Sequence, residues 1–358
     1  MYQNPVIIPA LNPPERLIPY VKELIQRGME NILLVDDGSR EEFRTIFDAL
    51  ELQKEVTILR HAVNLGKGRA LKDAFNYVLL RWGKSARGVI TADSDGQHTV
   101  DDVVRFQELL DAQTVPEVIL GTRDFDEGSV PFKSCFGNKL TSVVFRLLYG
   151  VRVNDTQTGL RAIPMSFLGA YCAVFGERFE YETNLLIFAA QQRQNLRHCR
   201  IETVYFDGNS ETHFRPIVDS LKIYRVIFSS FFRYMLASLS SCFIDWGLFW
   251  LFLLPLAMIE ETTRIVIATV LARLLSSLYN FTVNRRAVFK SGGTPFRQAA
   301  RYYLLCIFQM CLSAGFTAGL CHLFGGSELL KKALVDTVLF LFSYQIQRIW
   351  VFRERSCT

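Results

Sequence analysis

The last third of the chain does most to limit what it can fold into. From about Met235 onward four apolar stretches follow one another, separated by charged connectors. Residues 235–259 contain one charge, Asp245, and residues 265–283 contain Arg273. Residues 302–323 have no Asp, Glu, Lys or Arg, and residues 333–351 carry Asp336 and Arg348. A bilayer span needs about 17–25 mostly apolar residues. Any one stretch alone could be a buried core helix, but four in succession predict an all-α membrane domain of four transmembrane helices. Half of the 358 residues are hydrophobic, which excludes a disordered chain or a small disulfide scaffold. None of the eight cysteines forms a CxxC pair, so they read as small buried hydrophobes.

The apolar region repeats itself. Arg233-Tyr234-Met235-Leu236 opens the first stretch and Arg301-Tyr302-Tyr303-Leu304 the third. The second ends Asn280-Phe281-Thr282-Val283-Asn284-Arg285-Arg286-Ala287-Val288-Phe289, and the fourth Ser343-Tyr344-Gln345-Ile346-Gln347-Arg348-Ile349-Trp350-Val351-Phe352. Two tandem helix hairpins are the simplest account. Arg285, Arg286, Lys290, Arg297 and Arg301 crowd the middle connector, and Arg353 and Arg355 follow the last stretch. The positive-inside rule then places both termini in the cytoplasm, and no signal-like segment opens the chain. Asp245 and Arg273 are costly at membrane depth and are expected to pair across the first hairpin.

Residues 1–215 read differently. Short apolar runs at 6–10, 32–35, 56–59, 89–92 and 118–120 alternate with helical stretches, which predicts a parallel sheet covered on both faces. Ligands of such sheets sit beyond the carboxyl ends of the strands. The polar clusters fall there: Asp36-Asp37, Asp93-Ser94-Asp95, and Arg123. Gathered carboxylates repel each other unless a cation is shared, and Mg²⁺ takes one or two carboxylates plus phosphate oxygens and water. Asp93-x-Asp95 followed by Gln97 and His98 suits that role. It suits equally a solvated turn ahead of a helix cap at Thr99. Lys67, after Gly66, either faces phosphate from a helix start or is a solvated cap.

Taken in order, these segments resemble a known family. Leu33-Leu34-Val35-Asp36-Asp37-Gly38-Ser39, Asn64-Leu65-Gly66-Lys67-Gly68-Arg69-Ala70 and Ala92-Asp93-Ser94-Asp95-Gly96-Gln97-His98 are similar to the successive motifs of glycosyltransferase family 2. The nearest branch is that of the dolichyl- and polyprenyl-phosphate sugar synthases. Gly121-Thr122-Arg123, Asp155-Thr156-Gln157-Thr158-Gly159-Leu160-Arg161, the 176–182 block and Thr212-His213-Phe214 extend the likeness over about residues 5–225. The apolar region separately resembles the GtrA family, through Asn280-Phe281-x-x-Asn284-Arg285-x-x-Val288-Phe289. Three departures stand out: Lys133 where the branch often has Arg, Thr212 for Ser, and Arg215 for Asn.

The resemblance implies an α/β nucleotide-sugar-binding domain (GT-A, Rossmann-like) over 1–215. It also implies a GtrA-like membrane domain over 233–358. Between the two, the near-helical spacing of Ile217, Leu221, Tyr224, Phe228 and Phe231 reads as an amphipathic interface helix over 216–232, or as a helix packed on the soluble core. The resemblance assigns Pro9, Asn12, Asp36, Asp37, Lys67, Asp93 and Glu182 to the nucleotide sugar. Asp93, Asp95 and Gln97 fall to Mg²⁺ or Mn²⁺, and Asp95, Arg123, Lys133 and Arg161 to catalysis. Arg123, Lys133, Ser134 and Arg215 fall to an acceptor phosphate. The implied enzyme is an inverting, metal-dependent hexosyltransferase of the cell membrane, moving sugar from a nucleotide donor to polyprenyl phosphate on the cytoplasmic face. A lipid phosphate is already ionised at neutral pH, so no general base is needed. Two alternatives stay open: translocation of a lipid-linked sugar, and transfer to a hydroxyl acceptor. A homo-oligomer through the membrane domain also stays open. Phosphate handling and inside-facing connectors use the net charge of +5 better than nucleic acid would.

Overall fold

The computed structural model describes residues 1–123, 132–156, 158–202, 216–256, 258, 260–289, 291–323 and 327–352, with backbone alone at 132–140 and 216–223. The chain divides into two units, Met1–Ile227 and Phe228–Thr358.

The apolar runs of the first unit become strands β1 (Val6–Ala10), β2 (Ile32–Asp36), β3 (Val56–Arg60), β4 (Gly88–Thr91) and β5 (Glu117–Arg123). β1 and β4 are buried along their whole length, which is why they read as unbroken hydrophobic runs. Two further strands escape a search for such runs. β6 (Arg161–Pro164) is short and opens on an arginine, and β7 (Asn195–Ile201) is a polar strand at the sheet edge. The seven strands lie in the order β3-β2-β1-β4-β6-β5-β7.

The expectation of a wholly parallel sheet needs correcting at β6, which runs antiparallel to both β4 and β5. Its direction matters for the site. The register sets Arg161 opposite Thr91 of β4 and Leu120 of β5, so the start of β6 meets the carboxyl ends of its neighbours. Between the strands pack α1 (Leu17–Gln26), α2 (Arg44–Glu51), α3 (Lys67–Trp82), α4 (Val100–Asp111), α5 (Phe132–Tyr149), α6 (Met165–Cys172) and α7 (Glu180–Gln191). The core joins Val6, Ile8, Leu34 and Ile90 of the sheet to Leu17, Val21 and Leu24 of α1 and Val103 and Phe106 of α4.

Residues 216–232, expected as an interface helix, form the first part of one continuous helix, α8 (Pro216–Leu253). No Gly or Pro interrupts the chain between Ile217 and Trp246, so nothing breaks the helix there. Within the first unit Ile227 is buried, and its carbonyl accepts from Tyr149 Oη at 2.7 Å. Phe145, Leu148 and Tyr149 of α5 are buried, and Leu147 is exposed.

The second unit continues with α9 (Glu261–Val283), α10 (Pro295–Leu323) and α11 (Glu328–Ile346). Three stretches, Tyr224–Leu253, Glu261–Val288 and Pro295–Leu323, are long and apolar enough to cross a membrane. α11 stands outside that set, with Lys331, Lys332 and Asp336 in its first half and Tyr344 and Gln345 at its end.

The repeat has a structural counterpart. α9 passes into a π turn at Asn284–Val288 and α11 into one at Gln347–Val351. The two equivalent amides meet, Asn284 Nδ2 donating to Gln347 Oε1 at 3.2 Å. Around them Phe289 stacks on its equivalent Phe352 with ring centroids 5.0 Å apart. Phe281–Phe352 and the matching Phe289–Tyr344 contact lie at 5.7 and 5.8 Å. Buried amides in a membrane unit must satisfy one another, because lipid cannot.

Asp245 and Arg273 pair as expected, with Arg273 Nη2 at 3.2 Å from Asp245 Oδ2, and Ser276 Oγ donates to Asp245 Oδ1 at 2.7 Å. At the equivalent place in the second hairpin Ser313 Oγ donates to Asp336 Oδ1 at 2.5 Å. Asp245→Asn and Arg273→Gln should each lower the melting temperature in detergent. The double variant should be milder than the two losses added, by about 1 kcal/mol. Strict additivity would mean that the ion pair contributes nothing.

Candidate active site

The strand order reverses between β1 and β4, and the predicted carboxylates gather at that point. Asp93 follows β4 and lies at the centre of a charged cluster. Lys67 Nζ is 2.7 Å from Asp93 Oδ1 and 3.1 Å from Glu182 Oε2. His98 Nε2 is 3.3 Å from Asp93 Oδ2. Burial pushes the Asp93 carboxyl up, but Lys67 and His98 more than offset this and hold it well below the usual carboxylate range. Burial likewise depresses the Lys67 ammonium, and Asp93 and Glu182 overcome that and raise it.

Lys67 is therefore neither a solvated cap nor a lysine held ready at a bare helix start. The amide of Arg69, in the first turn of α3, donates to Glu177 O at 2.9 Å. Gly68 presses on the same segment, where an added Cβ would lie 2.5 Å from Tyr181 Cβ. The glycines of Gly66-Lys67-Gly68 thus let the 177–182 segment pack against α3. That packing brings Glu182, in the first turn of α7, to Lys67.

Asp95 differs from Asp93. It forms no ion pair among the described residues, and its Oδ1 accepts from the Gln97 amide at 3.0 Å. Burial and then the charge of Asp93 push its carboxyl up. A second negative charge beside Asp93 without its own cation suits a divalent metal. Among the described residues no three of His, Cys, Asp and Glu converge as a complete ligand set. The residues present fit Mg²⁺ or Mn²⁺ held by Asp95 and Gln97 and completed by phosphate and water, rather than a metal caged by protein. Buried His98 Nδ1, Thr158 Oγ1 and Arg161 Nη2 have no hydrogen-bond partner among the described residues, which accords with a site shaped for a polar ligand.

The other predicted residues separate into groups. Asp36 Oδ1 accepts from Ser39 N, Ser39 Oγ from Asn12 N, and Asn12 Oδ1 from Arg40 N, each at 2.9 Å. These bonds join the loops after β1 and β2, and Asn12 adopts φ +48° to make them. Pro9 is buried within β1, opposite Val35.

Asp37 was expected on the nucleotide, but it is 3% exposed and both its oxygens are occupied. They accept from Leu65 N at 2.9 Å and Gly66 N at 2.8 Å, with His61 Nδ1 also 2.8 Å away. Its place is behind the turn that leads into Lys67. Arg161, expected as a phosphate-facing cation, is 3% exposed; its Nε donates to Thr158 O and its Nη1 to Glu182 O. It supports the Glu182 segment. Thr99 caps α4, accepting from Asp102 N.

Arg123 is gripped by Asp155, with Nε to Oδ2 at 2.7 Å and Nη2 to Oδ1 at 3.1 Å. Nothing in the sequence spacing pairs those two residues, and nothing in it pairs His61 with Asp37. The side chains of Lys133 and Ser134, and the whole of Arg215, lie outside the described residues, as do Gln157 and the 212–214 motif.

A mixed sheet with carboxylates at its switch point and a cation-paired Asp93 suits an α/β domain that binds its ligand beyond the carboxyl ends of the strands. Comparison with known proteins agrees. Residues 6–145 match the family model Glycosyl transferase family 2, and residues 233–352 match GtrA/DPMS, transmembrane domain. The chain carries both domains and is a membrane glycosyltransferase.

Over 228 residues it is 29% identical to UDP-N-acetylglucosamine--dolichyl-phosphate N-acetylglucosaminyltransferase of Methanococcus voltae, covering 56% of this chain and 85% of that one. It is 25% identical over 231 residues to Glycosyltransferase AglJ of Haloferax volcanii, covering 62% of this chain and 70% of that one. An uncharacterised protein of Methanocaldococcus jannaschii shares 28% identity over 235 residues, 63% of this chain and 92% of that one. Among solved structures, mannosyl-3-phosphoglycerate synthase from Rubrobacter xylanophilus aligns at TM-score 0.43 and 14% identity, over 63% of this chain and 72% of that one.

Proposed function

We propose that the protein transfers a sugar from a nucleotide-sugar donor to a polyprenyl phosphate such as dolichyl or undecaprenyl phosphate, on the cytoplasmic face of the membrane. The division of labour between the two aspartates carries this reading: Asp93 is paired with Lys67 and lies within 3.3 Å of His98, while Asp95 has no ion pair among the described residues and stands beside it as a candidate metal ligand. The Methanococcus voltae relative is named for dolichyl phosphate and UDP-N-acetylglucosamine, which makes that pair the first to test.

Asp95 and Gln97 would hold Mg²⁺ or Mn²⁺, which when bound neutralises the departing nucleoside diphosphate. Asp36 holds the loop after β2, where the base or ribose would lie. Lys67 lies between Asp93 and Glu182 and holds both in place, so that both can face hydroxyls of the donor. Arg123, oriented by Asp155, draws the acceptor phosphate toward the sugar, with Lys133, Ser134 and Arg215 as further phosphate contacts. An ionised phosphate attacks without a base, and one in-line displacement inverts the anomeric carbon. Transfer to a hydroxyl acceptor needs a general base and often goes with a late Q-x-x-R-W motif, to which residues 345–350 bear only a superficial likeness. Gln345-Ile346-Gln347-Arg348-Ile349-Trp350 straddles the end of α11 and its π turn, within the membrane unit.

The test uses purified full-length protein, labelled UDP-N-acetylglucosamine, UDP-glucose and GDP-mannose, polyprenyl phosphate and Mn²⁺. Label should enter the lipid phase with one donor. Asp95→Ala should lower that rate by about 10³-fold. A folded protein that labels no lipid from any donor would overturn the proposal.

A further inference from the structure

Asp95 and Gln97 sit on a loop, and a metal ligand is useful only if its arm is held still. One tether comes from a helix distant in sequence. Arg16, at the start of α1, donates from Nε to the main-chain oxygen of Asp95 at 2.6 Å. The next residue, Gly96, takes φ +72°, and a Cβ there would lie 3.7 Å from Arg16 Cδ and 3.8 Å from its Nε. The arginine stem therefore runs along the turn that carries both proposed ligands. One helical turn further on, Tyr20 is buried with its hydroxyl unpartnered among the described residues.

Arg16 is not what holds α1 in the fold. Leu17, Val21 and Leu24 bury the core face of the helix, and Arg27 at its other end pairs with Asp101 at 2.5 Å. The Arg16 bond falls on the carbonyl of the one carboxylate residue in the cluster without a cation, and it is charge-assisted and thus among the stronger kinds. Partners of this type, one step out from a metal, typically change its affinity by about 10–100-fold when removed.

We infer that Arg16 is a positioning residue for the metal loop, so that α1 sets the divalent-cation affinity from behind the site. The inference rests on the metal role proposed for Asp95.

The test is Mn²⁺ binding to the full-length protein in detergent with UDP present, reading free Mn²⁺ by electron paramagnetic resonance. Arg16→Ala should weaken binding by about 10-fold or more. Arg16→Lys should recover part of the loss, and the melting temperature without metal should stay at the wild-type value. Transfer should return toward the wild-type kcat as Mn²⁺ is raised.

Wild-type Mn²⁺ affinity in Arg16→Ala overturns the inference while leaving the metal role intact. A wild-type protein that binds no Mn²⁺ overturns the metal role instead. A metal-free melting temperature that falls in both variants along with affinity makes Arg16 a general strut, and also overturns the inference.

Discussion

Replacing Gly159 with Ala should cost about 10²-fold or more in sugar transfer while leaving the protein folded. The methyl group would lie 2.5 Å from Cγ of Asp93 and closer still to its Oδ2. Asp93 has a short side chain and cannot swing aside while Lys67 and His98 hold its two oxygens. Gly159 itself cannot retreat easily, because its carbonyl accepts from Thr91 Oγ1 at 2.7 Å. Overpacking of this kind costs about 1–3 kcal/mol in stability, less than a typical domain can lose before unfolding. The damage should therefore appear in kcat and in donor binding before it appears in melting. Gly169→Ala is the matched control. Nothing lies within 4 Å of the added methyl on α6, and the change should stabilise by about 0.5–1 kcal/mol with activity unchanged. Equal activity in the two variants would show that the Asp93 carboxylate need not stay where Lys67 holds it.

Lys67→Met should produce the largest loss of stability. It removes the cation shared by Asp93 and Glu182 and leaves each carboxylate a longer contact, Asp93 to His98 at 3.3 Å and Glu182 to Arg161 at 3.9 Å. Removing one partner of a buried pair costs about 3–5 kcal/mol, and the lower end applies because Asp93 keeps some contact with solvent. The pH dependence has a definite sign. Asp93 titrates below an ordinary carboxyl, so its share of the stability is present above about pH 4 and lost as pH falls further. Lys67 titrates above an ordinary lysine, so its share is present below about pH 10 and lost as pH rises through its raised value. The gap in melting temperature between wild type and Lys67→Met should therefore be flat from about pH 5 to 9 and close outside that window. Adding Asp93→Asn to Lys67→Met should restore much of the stability and none of the transfer. A double variant as unstable as the single one would place the stabilising role of Lys67 elsewhere.

Much of this site was legible in the sequence because its carboxylates follow buried strands. The runs that became β1 to β5 are apolar because the sheet is covered on both faces, and ligand residues fall at their carboxyl ends. β6 and β7 lacked that signal: one is short and opens on Arg161, and the other is a polar edge strand. The burial of Arg161 and Asp37 was not legible for a related reason. A charged residue inside a motif looks the same in sequence whether it faces the cleft or is buried behind it.

The sequence by itself determined the two-part plan, the tandem repeat, the Asp93/Asp95 loop and the Asp245–Arg273 pair. Each rests on local spacing, on periodicity, or on a charge too costly to leave alone in an apolar stretch. The tertiary structure decided which charge neutralises which. The antiparallel entry of β6 brings Gly159 against Asp93. The packing of the 177–182 segment on Gly66 and Gly68 delivers Glu182 to Lys67, and the meeting of the two π turns pairs Asn284 with Gln347. Those contacts join residues tens of positions apart, and their energies depend on distance and burial, which no spacing along a chain specifies.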